Sequence, residues 1–189
     1  MKMLLYCCKA KPYLYKTEKP MIEKMFGDYH TQLNKAVLND NYLNGKIVAE
    51  CDFEVEDLRI VDDDPLGAYW YETKTLSENE VLEKSCLTGD ELFDYLGEDN
   101  EGYAIHIKNL HIFDKPRDIR NYYNIATRTM ADCMNQKALL KAPQNMCNAY
   151  DVYKNHYILI SIRSEWLCKI LNGEKTIEVR KKVLKEMLE

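Results

Sequence analysis

The stretch of residues 157–182 near the C-terminus constrains the fold more than any other part of the sequence. Tyr157–Ile162 is apolar and β-branched, a pattern that predicts a buried strand. A short amphipathic helix is predicted next, with Ser164 as its N-cap and Gly173 as its stop, because four apolar residues follow at helical spacing: Trp166, Leu167, Ile170 and Leu171. After Gly173 the period changes to two, which predicts a second strand. The stretch is therefore a strand, helix and strand that need a core to pack on.

The second predicted strand has two chemically different faces. Ile177 and Val179 lie on one side, and Thr176, Glu178 and Arg180 lie on the other. A hydroxyl, a carboxylate and a guanidinium group therefore line up along one face. The alternative interpretation is that Glu178 and Arg180 only pair with each other at the surface, where such a pair contributes little stability.

This C-terminal stretch resembles the opening segment of an ASCH domain, a branch of the PUA-like superfamily, which reads roughly ISI, helix, GxKTIExRK. Ile160–Ile162 and Gly173–Lys181 match it. Five further segments of the chain resemble the rest of such a domain: MLLYCCKAKP (Met3–Pro12), NGKIVAECDF (Asn44–Phe53), SCLTGDELFDYLG (Ser85–Gly97), GYAIHIKNLHIFDKPRDI (Gly102–Ile119) and KAPQNMC (Lys141–Cys147). The resemblance covers most of the chain. It implies an α+β fold, a PUA-like mixed β-barrel decorated with short helices.

The order of these segments differs from the family, in which the GEKTIEVRKK unit precedes the MLLYCC strand. We infer a circular permutation within a single domain spanning residues 1–189, in which residues 157–182 complete the barrel. Termini that lie close together at the surface make such rearrangements tolerable. Two alternatives stay open: the unit begins a truncated second repeat, or it completes the barrel of a neighbouring molecule as a domain swap.

Hydrophobic periodicity and the positions of capping and turn-forming residues predict the other elements. Strands are expected over Leu4–Lys9, Lys46–Val55 and Tyr103–Lys108, the last continuing as Leu110–Phe113. Capping-box spacings predict helices over Glu78–Lys84, after Ser77, and over Gly89–Leu96, after Thr88. Two further helices are predicted, around Pro20–Leu38 and over Pro116–Tyr123, where the proline suits the first helical position.

Composition places the chain among ordinary globular proteins. The 189 residues are 46% hydrophobic and 30% charged. The apolar run Met3–Cys8 is shorter than a signal-peptide core, so we expect a cytoplasmic protein without a membrane segment. The seven cysteines form no CxxC pair and no Cys/His ligand spacing. We therefore expect reduced thiols, no metal site and no cofactor. Cys133 is the lone cysteine in the region where some ASCH relatives carry a metal knuckle.

Charge is unevenly distributed along the chain. Between Glu50 and Glu101 there are 18 acids and 3 bases, a local net of −15, which leaves +10 for the rest of a chain whose total is −5. A basic face could attract a nucleotide or a short single strand, while the acidic middle would repel a long duplex. The alternative is that both are solvated surfaces without a partner. The proposed basic face comprises Lys9, Lys11, Arg163, Lys175, Arg180, Lys181 and Lys182.

The ASCH resemblance implies a cleft lined by its motif. Carried over to this sequence, the ligand-binding residues are Lys9, His106, Gln144, Lys175, Glu178 and Arg180. Relatives often have aromatic residues where this chain has Ile105 and Met146, which leaves Trp166, Tyr103 and Tyr6 as stacking candidates. The alternative for His106, on an apolar strand, is a hydrogen-bonded core imidazole.

The expected function is binding of RNA, single-stranded nucleic acid or a modified nucleotide, by a monomer or a domain-swapped dimer. The alternative, implied by ASCH relatives that hydrolyse acetylated cytidine, is an amidohydrolase with Lys175, Thr176 and Glu178 as catalytic residues. A desolvated lysine can activate a hydroxyl, yet Glu178 stands where those relatives have Thr and is expected to keep Lys175 protonated. A third alternative is an adaptor acting through the acidic stretch Asp52–Asp64.

Overall fold

The computed structural model describes residues 1–8, 45–62, 69–97, 101–123 and 142–188. Within these ranges the fold is mixed α+β. Seven strands form one sheet: β1 (Lys2–Cys7), β2 (Lys46–Asp62), β3 (Tyr69–Glu72), β4 (Glu101–Asp118), β5 (Met146–Tyr150), β6 (His156–Ile162) and β7 (Ile177–Arg180). Three helices accompany them: α1 (Glu78–Ser85), α2 (Gly89–Leu96) and α3 (Ser164–Leu171).

The strand order is β5-β6-β1-β2-β4-β7, with β3 paired to β2 beside this path. Over the described ranges the sheet does not close on itself. The expected α+β class is thus correct at the level of an open mixed sheet with helices. The chain divides into two compact units, Met1–Cys51 with Leu110–Leu171, and Asp52–Asn109 with Asn172–Glu189. β2 and β4 each contribute residues to both units.

In the first unit the N-terminal strand lies between two partners. β1 pairs with β2 in antiparallel orientation. On its other side β1 pairs with β6 in parallel orientation, where Leu4 lies opposite Leu159. β6 in turn pairs with β5. The first strand of the C-terminal stretch therefore joins the strand that begins the chain. The core of this unit is an apolar cluster around Leu4, Tyr6, Ile47, Phe113, Tyr122, Ala149 and Leu159.

In the second unit helices α1 and α2 pack on the strands, and α1 contacts β3 and β7. Ser77 with Glu80 and Thr88 with Glu91 form the two capping boxes that their spacing predicts. Gly102 allows close packing, because a Cβ there would lie 3.0 Å from the Arg180 carbonyl oxygen and 2.7 Å from a Leu96 methyl carbon. The core comprises Leu58, Tyr71, Val81, Leu92, Leu96, Ala104, Ile177 and Val179.

Several sequence predictions are confirmed and others need correction. Gly173 ends its helix with φ +83 as expected. The predicted helix over Pro116–Tyr123 is wrong: β4 continues through Asp118, and only the 3-10 turn Ile119–Asn121 follows. Strand pairing outweighs the local preference of proline, whose fixed φ also suits extended chain. Ser164 is the first residue of α3 and not its N-cap.

Other expectations concern parts of the chain that the structure does not describe. The helix around Pro20–Leu38, the end of the first strand at Lys9 and the lone Cys133 lie outside the described residues. The other six cysteines are free thiols. No helix in the described ranges has the length and hydropathy needed to cross a membrane.

Candidate functional site

The polar residues of the C-terminal motif lie on the β4–β7 pair of the second unit. Tyr103 lies opposite Arg180, and Ile105 lies opposite Glu178. Residues directly opposite in an antiparallel pair point to the same face of the sheet. Glu178 and Arg180 therefore share a face with Tyr103 and with Ile105, which is fully buried. Glu178 and Arg180 therefore lie on a covered face and not on a solvated one.

Three charged side chains of the motif form one ion-paired cluster. Nη2 of Arg180 lies 2.8 Å from Oε1 of Glu178, and Nζ of Lys175 lies 3.5 Å from Oε2 of the same carboxylate. The exposed fractions of these side chains are 3% for Lys175, 10% for Glu178 and 13% for Arg180. The pair that the sequence left open as a surface contact is thus made in the interior, where removing charges from water is costly.

The ammonium group of Lys175 is held by a backbone oxygen as well as by a carboxylate. Its Nζ donates a hydrogen bond of 2.6 Å to the carbonyl oxygen of Ser85, at the end of α1. Burial lowers the pKa of Lys175 below 10.5, although the charge of Glu178 opposes this shift. Desolvation therefore has a larger effect on this pKa than the attraction of the Glu178 carboxylate.

Backbone hydrogen bonds fix the segment that carries Lys175 and Thr176. The Thr176 N–H donates to the Lys84 carbonyl oxygen, and the Thr176 carbonyl oxygen accepts from the Ile107 N–H, each at 2.9 Å. Cys86 ends α1 with φ +56, and its thiol lies 3.6 Å from the Glu174 carbonyl oxygen. Thr176 itself is exposed. Two of the three candidate catalytic residues, Lys175 and Thr176, thus have opposite surroundings, the first buried and the second in solvent.

His106 lies on the other face of the β4–β7 pair, opposite Ile177. Its Nε2 is 3.1 Å from Oε1 of Glu56. Burial raises the pKa of Glu56, but hydrogen bonds from Thr75 and Thr73 outweigh it, so the net shift is downward. His106 therefore pairs with a carboxylate of its own and does not join the Lys175–Glu178–Arg180 cluster.

The two remaining predicted ligand-binding residues are Gln144 and Lys9. Gln144 belongs to the first unit, where it is exposed in the loop before β5. That loop is held by Ser161, whose hydroxyl donates to the Pro143 carbonyl oxygen at 2.7 Å. Lys9 lies outside the described residues. Of the stacking candidates, Tyr6 is buried in the first unit and Trp166 is half-buried on α3.

A small pocket of about 120 Å³ opens beside Tyr103 in the second unit. Ligand sites usually measure about 300–1,000 Å³, so this pocket has room for a single small group only. Two cationic side chains, Arg59 and Lys181, and two carboxylates, Asp57 and Glu101, line it. Arg59 lies 3.7 Å from Asp57. The complete lining is Asp57, Leu58, Arg59, Glu101, Gly102, Tyr103 and Lys181.

Sequence reasoning missed two contributors to this region. The Ser85 carbonyl oxygen is a backbone group, for which the sequence carries no signal. Arg59 was not singled out because it stands alone in an acidic stretch, past the point where the alternation of β2 fades. In the described ranges, no group of three or more His, Cys, Asp and Glu residues is placed to hold a metal ion.

Comparisons of this chain with models of known protein families, with curated proteins and with solved structures found no match.

Proposed function

We propose that the chain is an ASCH-type, PUA-like module that binds RNA, single-stranded nucleic acid or a modified nucleotide at the β4–β7 strands of the second unit. The observation that carries this proposal is the buried cluster of Lys175, Glu178 and Arg180. Charged groups in the interior are costly, and they are concentrated at functional sites. These are also the residues that the family motif assigns to the cleft.

The pairing of the terminal strands supports the proposed PUA-like barrel and the circular permutation. β6 lies parallel to β1 over six residue pairs, from Lys2 opposite Tyr157 to Cys7 opposite Ile162. This pairing brings the first strand of the C-terminal stretch beside the strand that begins the chain, whereas the motif itself lies on β7, which pairs with β4.

Burial divides the roles within the proposed site. Lys175 and Glu178 are too deeply buried to meet a phosphate directly, so we assign them to holding Arg180 in position. Lys181 is exposed and, with Arg59, lines the small pocket beside Tyr103. Guanidinium and ammonium groups bind phosphate oxygens, and an aromatic ring offers a stacking surface for a base. The direct contacts are therefore assigned to Lys181, Arg59 and Tyr103, whereas Arg180, opposite Tyr103 and only 13% exposed, is assigned a positioning role.

Fluorescence anisotropy with a short labelled RNA over a series of salt concentrations tests this proposal. We expect affinity to fall with salt, and Lys181→Ala to reduce the log–log salt slope by about 0.7, the value for one phosphate contact on a single strand. Arg180→Ala is expected to weaken binding about 10-fold. Lys74→Ala, at an exposed lysine of the same unit, is the matched control. Salt-independent binding, or wild-type affinity of both variants, contradicts the proposal.

A second candidate function is hydrolysis of an acylated nucleoside. It is favoured by the lowered pKa of buried Lys175 beside the exposed hydroxyl of Thr176. In this reaction Thr176 Oγ1 attacks the acetyl carbonyl, cytidine leaves, and water then releases acetate from the threonine ester. Incubation with acetylcytidine should give acetate with the wild type and with Thr176→Ser, and none with Thr176→Ala. Equal release by the wild type and Thr176→Ala excludes this mechanism.

A further inference from the structure

The first unit contains a pocket of its own, with a volume of about 470 Å³. It is formed by the end of β4, the 3-10 turn that follows, and the turn between β5 and β6. The volume falls within the range of ligand sites, about 300–1,000 Å³. Its lining combines two arginines and one carboxylate with an amide, three tyrosines and a valine: Arg117, Arg120, Asp151, Asn121, Tyr122, Tyr123, Tyr153 and Val152. The Asp151 carboxylate is occupied by hydrogen bonds within its own turn.

Arg120 is held in place while most of its hydrogen-bonding capacity remains available. Its Nε and Nη2 donate to the two carboxylate oxygens of Asp118, at 3.0 and 2.8 Å. A guanidinium group has five N–H donors, so these bonds leave three for a ligand. The Arg120 side chain is 73% exposed. A cation fixed in this way loses little conformational freedom when it binds an anion.

Arg117 is also ordered by neighbours in the same unit. Its guanidinium carbon lies 3.5 Å from the centroid of the Phe113 ring, and its Nη1 donates to the Tyr122 hydroxyl at 3.2 Å. Arg117 is exposed, whereas Tyr122 and Tyr123 are buried. The pocket thus has two cationic side chains held in position and a floor of aromatic rings.

Tyr153 supplies an exposed ring on a fixed turn. Tyr153 is 83% exposed, the largest value among the exposed large apolar and aromatic residues in the described ranges. The turn is held by the carboxylate of Asp151, which accepts from the backbone N–H groups of Tyr153 and Asn155, each at 2.9 Å. An aromatic ring in this position is available to stack on a planar ligand without reorganisation of the backbone.

We propose that this pocket binds one nucleotide of a single-stranded RNA, with the base stacked on Tyr153 and the phosphate bound by Arg117 and Arg120. Arginine forks match phosphate oxygens, and tyrosine rings stack on unpaired bases. The Asn121 side chain offers both a donor and an acceptor for a base edge. This inference depends on residues of the first unit only and does not rest on the function proposed for the second.

Binding of a short fluorescein-labelled oligouridylate, measured by anisotropy, tests the inference. Tyr153→Ala should weaken binding about 10-fold, and Tyr153→Phe should stay within about 2-fold, because stacking needs the ring and not the hydroxyl. Arg120→Ala should reduce the log–log salt slope by about 0.7. Arg163→Ala, at an exposed arginine of the same unit that pairs with Glu165, is the control and should change the slope less. Since Tyr153 is exposed, its variants should fold normally, which urea unfolding verifies.

Competition distinguishes a nucleotide site from a general anion site. UMP should displace the labelled strand at lower concentration than inorganic phosphate. Equal competition by phosphate, or wild-type affinity of Tyr153→Ala, overturns the inference. Loss of binding in Lys181→Ala with none in Tyr153→Ala would overturn it and leave the proposed function of the second unit intact. The reverse pattern would support this pocket and contradict that function.

Discussion

The two units place similar ion pairs in different surroundings. In the second unit Glu178 pairs with Lys175 and Arg180, and all three side chains are at most 13% exposed. In the first unit Asp118 pairs with Lys46 at 3.0 Å and Arg120 at 2.8 Å. There the side chains of Lys46 and Arg120 are 35% and 73% exposed. The nitrogen–oxygen distances of the two sets of ion pairs are similar, but their exposure to water differs.

This difference teaches that burial, more than distance, determines what an ion pair does. Water can replace a lost partner at Asp118, because the group is close to solvent. It cannot do so at Lys175, whose charge would stay in the interior without its carboxylate. The second unit should therefore depend strongly on its cluster, while the first unit keeps accessible cations for a ligand.

The largest effect is expected for Glu178→Ala. The substitution leaves two cations in the interior without the carboxylate that joins them, which should cost about 3–5 kcal/mol of unfolding free energy. Urea unfolding measures the loss, and Glu165→Ala, at a half-buried glutamate beside Arg163, is the control. A loss below about 1 kcal/mol would show that the buried cluster behaves as a surface pair does.

Lys175→Met should have a smaller effect at neutral pH, below about 2 kcal/mol, because Glu178 keeps Arg180 and a methionine fills similar space. Its pH dependence is more informative. The folded pKa of Lys175 is depressed below 10.5, so the unfolded chain binds more protons just below that pH, and stability rises with pH there.

The stability of the wild type relative to Lys175→Met should therefore increase as pH approaches 10.5. Paired urea titrations of the two proteins measure this difference, with Lys74→Met as the control. A difference that is constant with pH, or that falls, would contradict the role of burial at Lys175.

The thiols of the first unit should respond to pH in the opposite direction. Burial is the main cause that raises the pKa of Cys7 and of Cys168 to about 12, from 9.0. A thiol whose pKa is raised in the folded protein stabilises the fold fully below pH 9.0, and this stabilisation is lost as the pH rises toward 12. Cys168→Ala should lower stability at neutral pH and reduce its fall above pH 9.0. An unchanged alkaline slope would refute the effect.

Asp118→Ala should show the smallest effect. Its ion pairs with Lys46 and Arg120 lie near solvent, and its carboxylate also accepts from the Arg120 N–H at the 3-10 turn, so we expect a loss of about 1 kcal/mol. The loss should shrink further in high salt. If Asp118→Ala proves as costly as Glu178→Ala, the contrast between the units fails.

Local sequence signals were sufficient where a few neighbouring residues decide the structure. The capping boxes at Ser77 and Thr88 predicted α1 and α2, and Gly173 predicted the end of α3, because hydrogen bonds within one turn set these boundaries. The apolar run ending at Ile162 likewise predicted β6.

Strand pairing within the sheet determined the parts of the strands that the sequence did not predict. The alternation of β2 was expected to stop at Val55, but the strand continues to Asp62, where residues 59–62 pair with β3. Pro116 suits the start of a helix, yet it lies within β4. In both places membership of the sheet outweighs local preference.

By itself the sequence determined the α+β class, the two capped helices and the alternating character of the C-terminal motif, since these depend on spacing and local hydrogen bonds. Only the tertiary structure decided that Lys175, Glu178 and Arg180 are buried as one cluster while Arg120 and Tyr153 stay accessible. The physical reason is that alternation gives a strand two faces but does not specify which chain segments cover each face. Burial, and with it the energy of every charge, is set by the packing of distant residues.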